Sequence, residues 1–187
     1  VTGKYALKRL MRKLTPLRRA QAVLAVLALV TLVTPREVEK YGDNYQVALP
    51  LLALGCQIAN GQGLAYFGRY AVHFVGLHGT KRGLGDAEIA QRPRGGLEGF
   101  PSGHTSTATF GAATLVQSCV TGSPIAQSAV ILAAGFTGAS RIESGAHDIW
   151  QVLAGAIWGL ICAMAFRPNS PSRATAQRIL ARLRGHS

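Results

Sequence analysis

Apolar residues gather into six runs along the chain, at 20–34, 46–59, 64–77, 105–120, 125–139 and 149–166. Runs of this length predict helices, so the expected fold class is all-α. Each strict run is shorter than the roughly 20 residues that span a bilayer. Flanking small or amphipathic residues lengthen most of them, and the pattern is read as a six-transmembrane-helix bundle. The punctuation fits. Thr34-Pro35 closes the first run, Asn60-Gly61-Gln62-Gly63 parts the second from the third, and Thr121-Gly122-Ser123-Pro124 parts the fourth from the fifth. Such short Gly- and Pro-bearing connections imply adjacent antiparallel helices.

Charge orients the bundle. Of 187 residues 48% are hydrophobic and only 15% charged, yet 20 Lys and Arg against 8 Asp and Glu leave a formal net charge of +12. Lys4, Lys8, Arg9, Arg12, Lys13, Arg18 and Arg19 precede the first run with no acid among them, and Arg167, Arg173, Arg178, Arg182 and Arg184 follow the last in the same way. The chain thus divides into a basic segment 1–19, a six-helix domain 20–166 and a basic tail 167–187. Basic flanks stay on the cytoplasmic side, and six spans return the chain to the side where it began. Both termini are therefore expected in the cytoplasm of a bacterial-type inner membrane. The loop 78–103 and the turn 141–147 then share the outer, periplasmic face. Nucleic acid is not the expected partner, because the basic ends carry no aromatic residue besides Tyr5.

A basic segment before an apolar run is also the layout of a signal peptide. No small-x-small site closes this run, which ends Thr31-Leu-Val-Thr34-Pro35, so it is expected to persist as the first helix. Cys56, Cys119 and Cys162 all fall in apolar runs without ligand spacing, and are expected as buried packing residues. Gly155 and Gly159 form a GxxxG expected to bring two helices close.

The chemistry concentrates on the outer face. Lys81, Arg82, Arg92 and Arg94 lie within fourteen residues, and Gly95, Gly96, Gly99 and Gly103 let backbone approach an anion. Arginine offers a planar donor fork for phosphate, and a helix start adds N–H groups at the positive end of its dipole. Pro101-Ser102-Gly103-His104 opens the fourth run, with Ser102 placed as its N-cap. Ser140-Arg141 and His147 then put another Arg and another His at the mouth between the fifth and sixth runs. No HExxH or further ligand cluster accompanies these histidines, so a metal centre is not expected. A phosphate site accounts for the composition. Cations hold the non-bridging oxygens, one imidazole attacks phosphorus and the other protonates the departing oxygen.

Arg92-Pro93, then Pro101-Ser102-Gly103-His104, then Ser140-Arg141 with five residues before His147, resembles the three-part signature of the type 2 phosphatidic acid phosphatase superfamily. That superfamily includes membrane lipid phosphatases, soluble acid phosphatases and vanadium haloperoxidases, and the resemblance covers 81–155. It implies that His147 is the nucleophile, forming a phosphohistidine, and that His104 is the general acid and then the base for water. It implies that Lys81, Arg92, Ser102, the Gly103 backbone and Arg141 bind the phosphate oxygens. It further implies a phosphatase without metal or other cofactor.

Two positions depart from the family pattern. The family Lys stands six residues before Arg-Pro, where this chain has Leu84-Gly85-Asp86. Lys81 is the nearest upstream lysine, with Arg82 and Arg94 as substitutes, and Gly83 and Gly85 speak against one helix joining Lys81 to Arg92. The orienting partner of the nucleophile, usually Asp, is here Gln151. Asp148 lies about 100° away on a helix and is left between capping the sixth helix and a catalytic role. Glu143 is read as solvent-facing or as a gate. Arg69 and His73, an i,i+4 pair in the third run, are expected to make an interhelical hydrogen bond near the site. His78 lies at the loop entrance, and no role is expected for His186.

The resulting expectation is a membrane enzyme that dephosphorylates a lipid phosphate or diphosphate, with the bilayer as its surroundings. Lipid A phosphate, phosphatidylglycerol phosphate, phosphatidate and undecaprenyl diphosphate are the candidate substrates by resemblance. Lipid-to-lipid phosphotransfer, a secreted soluble acid phosphatase or haloperoxidase, and a non-catalytic anionic-lipid binder are the alternatives.

Overall fold

The six runs become six α-helices, with one short 3-10 turn and no strand among the described residues. The computed structural model describes residues 16–165 together with 167, 175 and 178. Lys4, Lys8, Arg9, Arg12 and Lys13 of the amino-terminal segment lie outside the described residues, as do Arg173, Arg182, Arg184 and His186 of the tail. Helix α1 is Pro16–Val33, α2 Val38–Ala59, α3 Gly63–Leu84, α4 Gly103–Ser118, α5 Pro124–Glu143 and α6 Ile149–Met164. The 3-10 turn Glu88–Ala90 lies in the long connection from α3 to α4.

Helix α4 is the centre, packed against α2, α5 and α6. Its sequence, GHTSTATFGAATLVQS, is poor in large side chains, so neighbouring backbones can close on several sides of it. Phe110 and Leu115 fill the interior and are fully buried. The GxxxG of α6 lies on α4: a methyl group added at Gly155 or Gly159 would collide with the carbonyl oxygens of Ser102 or Ser106. This contact fixes the start of α6 against the start of α4, which is where the two signature histidines lie. Outside this centre, Leu32 on α1, Leu51 on α2, Phe67 on α3, Leu132 on α5 and Ile157 on α6 are exposed. By length and composition, α1 and α5 could each cross a membrane.

Helices run beyond their apolar runs, and three of the extensions reach the side where the signature histidines lie. Helix α2 begins at Val38, ahead of position 46, and so includes Glu39 and Asp43. Helix α3 continues past 77 to Leu84, and α5 past 139 to Glu143. Gly83 stays inside α3, while Gly85, at φ +53°, ends it. A positive φ costs Gly little and stops helix propagation there. Lys81 is thus on the last turn of α3, and Arg92 reaches the same region through the loop instead of along a helix.

The expectation that all three cysteines serve as simple packing is corrected for two of them. Cys56 near the end of α2 and Cys119 just after α4 form a disulfide, with Cα atoms 6.1 Å apart. Their separation of 63 residues carries no signature. They meet because α2 and α4 run parallel and end together, where Asn60 also donates to Ser118 O. Cys162 alone keeps a buried free thiol.

Candidate active site

Five helix ends meet on one side of the bundle: the first turns of α2, α4 and α6 and the last turns of α3 and α5. Amino ends present unpaired N–H groups, and carboxyl ends are matched by Lys81 and Arg82 on α3 and Arg141 on α5. The local field on this side favours an anion.

His147 lies in the connection between α5 and α6 and is buried. Its Nδ1 is 3.0 Å from Gln151 Oε1, one helical turn into α6. The amide orientation of Gln151 is set independently, because Nε2 donates to the carbonyls of Ile89 at 3.0 Å and Gln91 at 2.7 Å. With the donor end engaged, Oε1 must accept, so Nδ1 carries the hydrogen and Nε2 of His147 keeps its lone pair. Burial holds the imidazolium form down to a pKa of about 4. The Gln151 hydrogen bond opposes that shift, while Lys81, Arg92 and His104 add to it. A neutral imidazole with one bare nitrogen is a nucleophile at ordinary pH.

Asp148 is the N-cap of α6: its Oδ1 accepts from the Gln151 backbone N at 2.8 Å. Of the two readings left open by the sequence, capping is the one the geometry shows. Ser102 departs from its expected role. It occupies the N-cap position of α4, yet its fully buried Oγ pairs with Thr105 Oγ1 at 3.0 Å and caps no backbone group. Its backbone N donates to Gln151 O at 2.9 Å, tying the two helix starts together. The first turn of α4 therefore has no side-chain cap and keeps its N–H groups for an anion.

His104, in the first turn of α4, faces α2. Its Nε2 is 3.2 Å from Asp43 Oδ1. The same Oδ1 accepts from Arg141 Nη1 at 3.0 Å, and Glu39 holds Arg141 through its carboxylate at 3.3 Å and its backbone O at 2.6 Å. Arg141 is buried, with Nε on Ser140 Oγ at 3.2 Å. Arg94 is exposed and binds Glu39 from outside at 3.2 Å. Glu39 and Asp43 did not figure among the sequence candidates. The signal was there: two acids at i,i+4 directly before an apolar run, in a chain with few acids and a surplus of arginine on that face.

Lys81 is buried and its Nζ donates to Glu98 O, while Arg92 Nε donates to Leu97 O at 3.1 Å. Both charges act on His147. Arg82, one residue on, is exposed, and Glu143 is exposed as well. Deeper in the bundle His73 Nε2 meets Ser106 Oγ at 2.7 Å, an interhelical bond beneath the site. Arg69 does not partner it and donates to Ala163 O on α6.

Two differently anchored histidines, one at the uncapped mouth of α4 and one just before the Asp148-capped start of α6, thus lie on the side of the bundle where a buried arginine is held between two carboxylates. The chain belongs to the PAP2 superfamily, whose sequence profile matches residues 22–173. Membership points to phosphoric-ester hydrolysis. No curated protein and no solved structure matches the chain.

Proposed function

We propose that this protein is an integral membrane phosphatase that takes phosphate from a lipid monophosphate or diphosphate through a phosphohistidine on His147. The observation that carries the lipid reading is a cavity of about 460 Å³ between α2 and α3. At one end it is lined by Gly103 and His104, and along its length by Leu51, Leu54, Phe67 and Phe74. A phosphate held at the helix mouths leaves its hydrocarbon chain beside this apolar groove, whose size falls in the range of small-molecule sites. The large apolar side chains exposed on five helices support a bilayer setting, since water-soluble proteins seldom leave so many of them uncovered.

In that setting His147 Nε2 attacks phosphorus as His104 gives a proton to the leaving oxygen. Lys81, Arg92, Arg141 and the N–H groups at the start of α4 hold the other oxygens. His104 then takes a proton from water as the P–N bond breaks. The basic flanks keep both termini in the cytoplasm and turn the site outward. On that orientation the Cys56–Cys119 bond lies toward the cytoplasmic ends of α2 and α4.

The test is phosphate release by the detergent-solubilised protein from a panel pairing long-chain phosphates and diphosphates with short-chain analogues, in EDTA. Release is expected from the long-chain members, with kcat/KM at least about tenfold above their analogues, as loss of several buried CH2 groups implies. Equal activity on both classes would sink the lipid reading. A requirement for added metal would sink the metal-free mechanism.

A further inference from the structure

Both histidines have one ring nitrogen anchored, by partners of different charge. Gln151, a neutral amide, holds Nδ1 of His147, whereas Asp43, a carboxylate, holds Nε2 of His104. Among the described residues Nδ1 of His104 has no hydrogen-bond partner. The titratable and charged groups around His104 are Asp43 on α2, His78 on α3, Arg92 and His147 in the loops and Arg141 on α5. Asp43 is the anion in this set. Its charge is divided, because the oxygen on His104 also accepts from Arg141 at 3.0 Å.

We propose that Asp43 is the positioning residue of the general acid. Its carboxylate holds the Nε2–H of His104 so that Nδ1 carries the transferable proton, and substrate phosphate frees Asp43 for this by drawing Arg141 onto itself. The inference rests on the phosphatase reading above and adds to it a coupling between binding and proton loading. Phosphate supplies Arg141 with a new counter-anion. Asp43, no longer shared, then favours the imidazolium form of His104. The Nδ1 proton passes to the bridging oxygen as the P–O bond breaks and the His147 Nε2–P bond forms, which leaves His104 neutral. In the second half-reaction Nδ1 accepts a proton from water as the P–N bond breaks, and the imidazolium is restored. The amide on His147 suits a nucleophile that must stay neutral, and the carboxylate on His104 suits an acid that must hold a proton.

The experiment compares kcat/KM for an alkyl phosphate and a nitrophenyl phosphate in wild type, Asp43→Asn and Asp43→Glu, each across pH. This parameter reports steps through transfer to His147, and the alkoxide leaving group needs a proton far more than nitrophenoxide does. Phosphate binding is common to both esters and cancels in their ratio. In Asp43→Asn the alkyl-to-nitrophenyl ratio is expected to fall about 100-fold, the low end of what a positioned acid contributes. The basic limb for the alkyl ester should move to lower pH, and Asp43→Glu should give an intermediate ratio. An unchanged ratio and basic limb in Asp43→Asn would overturn the proposal, whatever the absolute loss. Should Asp43→Asn fail to accumulate folded, Asp43→Glu decides: a lowered ratio supports the role and a wild-type ratio overturns it. Wild type inert toward both esters would overturn the phosphatase reading itself.

Discussion

Gln151→Asp is expected to impair phosphate release, although Asp is the residue usual in the family at this position. The side chain of Gln151 is fully buried and makes three hydrogen bonds with two polarities: Oε1 accepts from His147, and Nε2 donates to the carbonyls of Ile89 and Gln91. A carboxylate can replace only the first. It would leave two carbonyls unpaired and facing a negative charge, at about 1–3 kcal/mol for each orphaned group. Those carbonyls belong to the loop that delivers Arg92, so the loss reaches the proposed phosphate cradle as well as the proposed nucleophile. If half of that cost enters the barrier, kcat/KM falls about 10–100-fold. The pH profile gives a second readout. With Gln151 the His147 imidazole stays neutral down to a pKa of about 4. A carboxylate on Nδ1–H stabilises the imidazolium and raises that pKa, so more His147 is protonated and inert at any given acidic pH. The acid limb should therefore move upward in Gln151→Asp and in the longer Gln151→Glu. Wild-type activity with an unmoved acid limb in both would show that Gln151 does not hold the nucleophile.

Arg141→Ala should be more damaging than loss of any other cation in the site. Arg141 is buried and joins Ser140, Glu39 and Asp43. Without it, phosphate loses a guanidinium and meets two uncompensated carboxylates. Removing one donor from such a site costs about 100- to 1,000-fold, and the unscreened acids add to that. Breaking a buried ion pair also destabilises, by about 3–5 kcal/mol, although Glu39 and Asp43 are partly exposed and the lower end applies here. Arg141→Lys should recover little, because a single ammonium cannot bond Ser140, Asp43 and the Glu39 backbone together. Steady-state kinetics on a lipid phosphate with thermal unfolding of each variant checks this. Arg141→Ala within about threefold of wild type, on the rate scale of those losses, would count against a phosphate-binding role.

Hydropathy traced the helices well where they are apolar and poorly where they are polar, and the site is built from the polar turns. The last turn of α3 carries Lys81 and the first turns of α2 carry Glu39 and Asp43. These turns are helical without an apolar run, which a count of apolar residues cannot register. Gln151 was legible, because a spacing of four from His147 puts both on one face of a helix. Asp148 was left open by the sequence, and Ser102 was read as a cap that its side chain does not supply. Each is a good cap by residue type, and only the competing partner separates them: Asp148 finds the Gln151 N–H, while Ser102 is drawn to Thr105. The disulfide was illegible for a different reason, since it depends on α2 and α4 running parallel, which no local pattern encodes.

The most direct measurement is the trapping of the covalent intermediate. Wild type and His147→Asn would be mixed with a nitrophenyl phosphate, quenched in alkali within the first turnover, digested and mapped by mass spectrometry. One added phosphoryl group is expected on His147 in wild type and none in His147→Asn, which should also release no phosphate in the steady state. Phosphate release by His147→Asn at a rate near wild type, or a phosphoryl group on any other side chain, would contradict it.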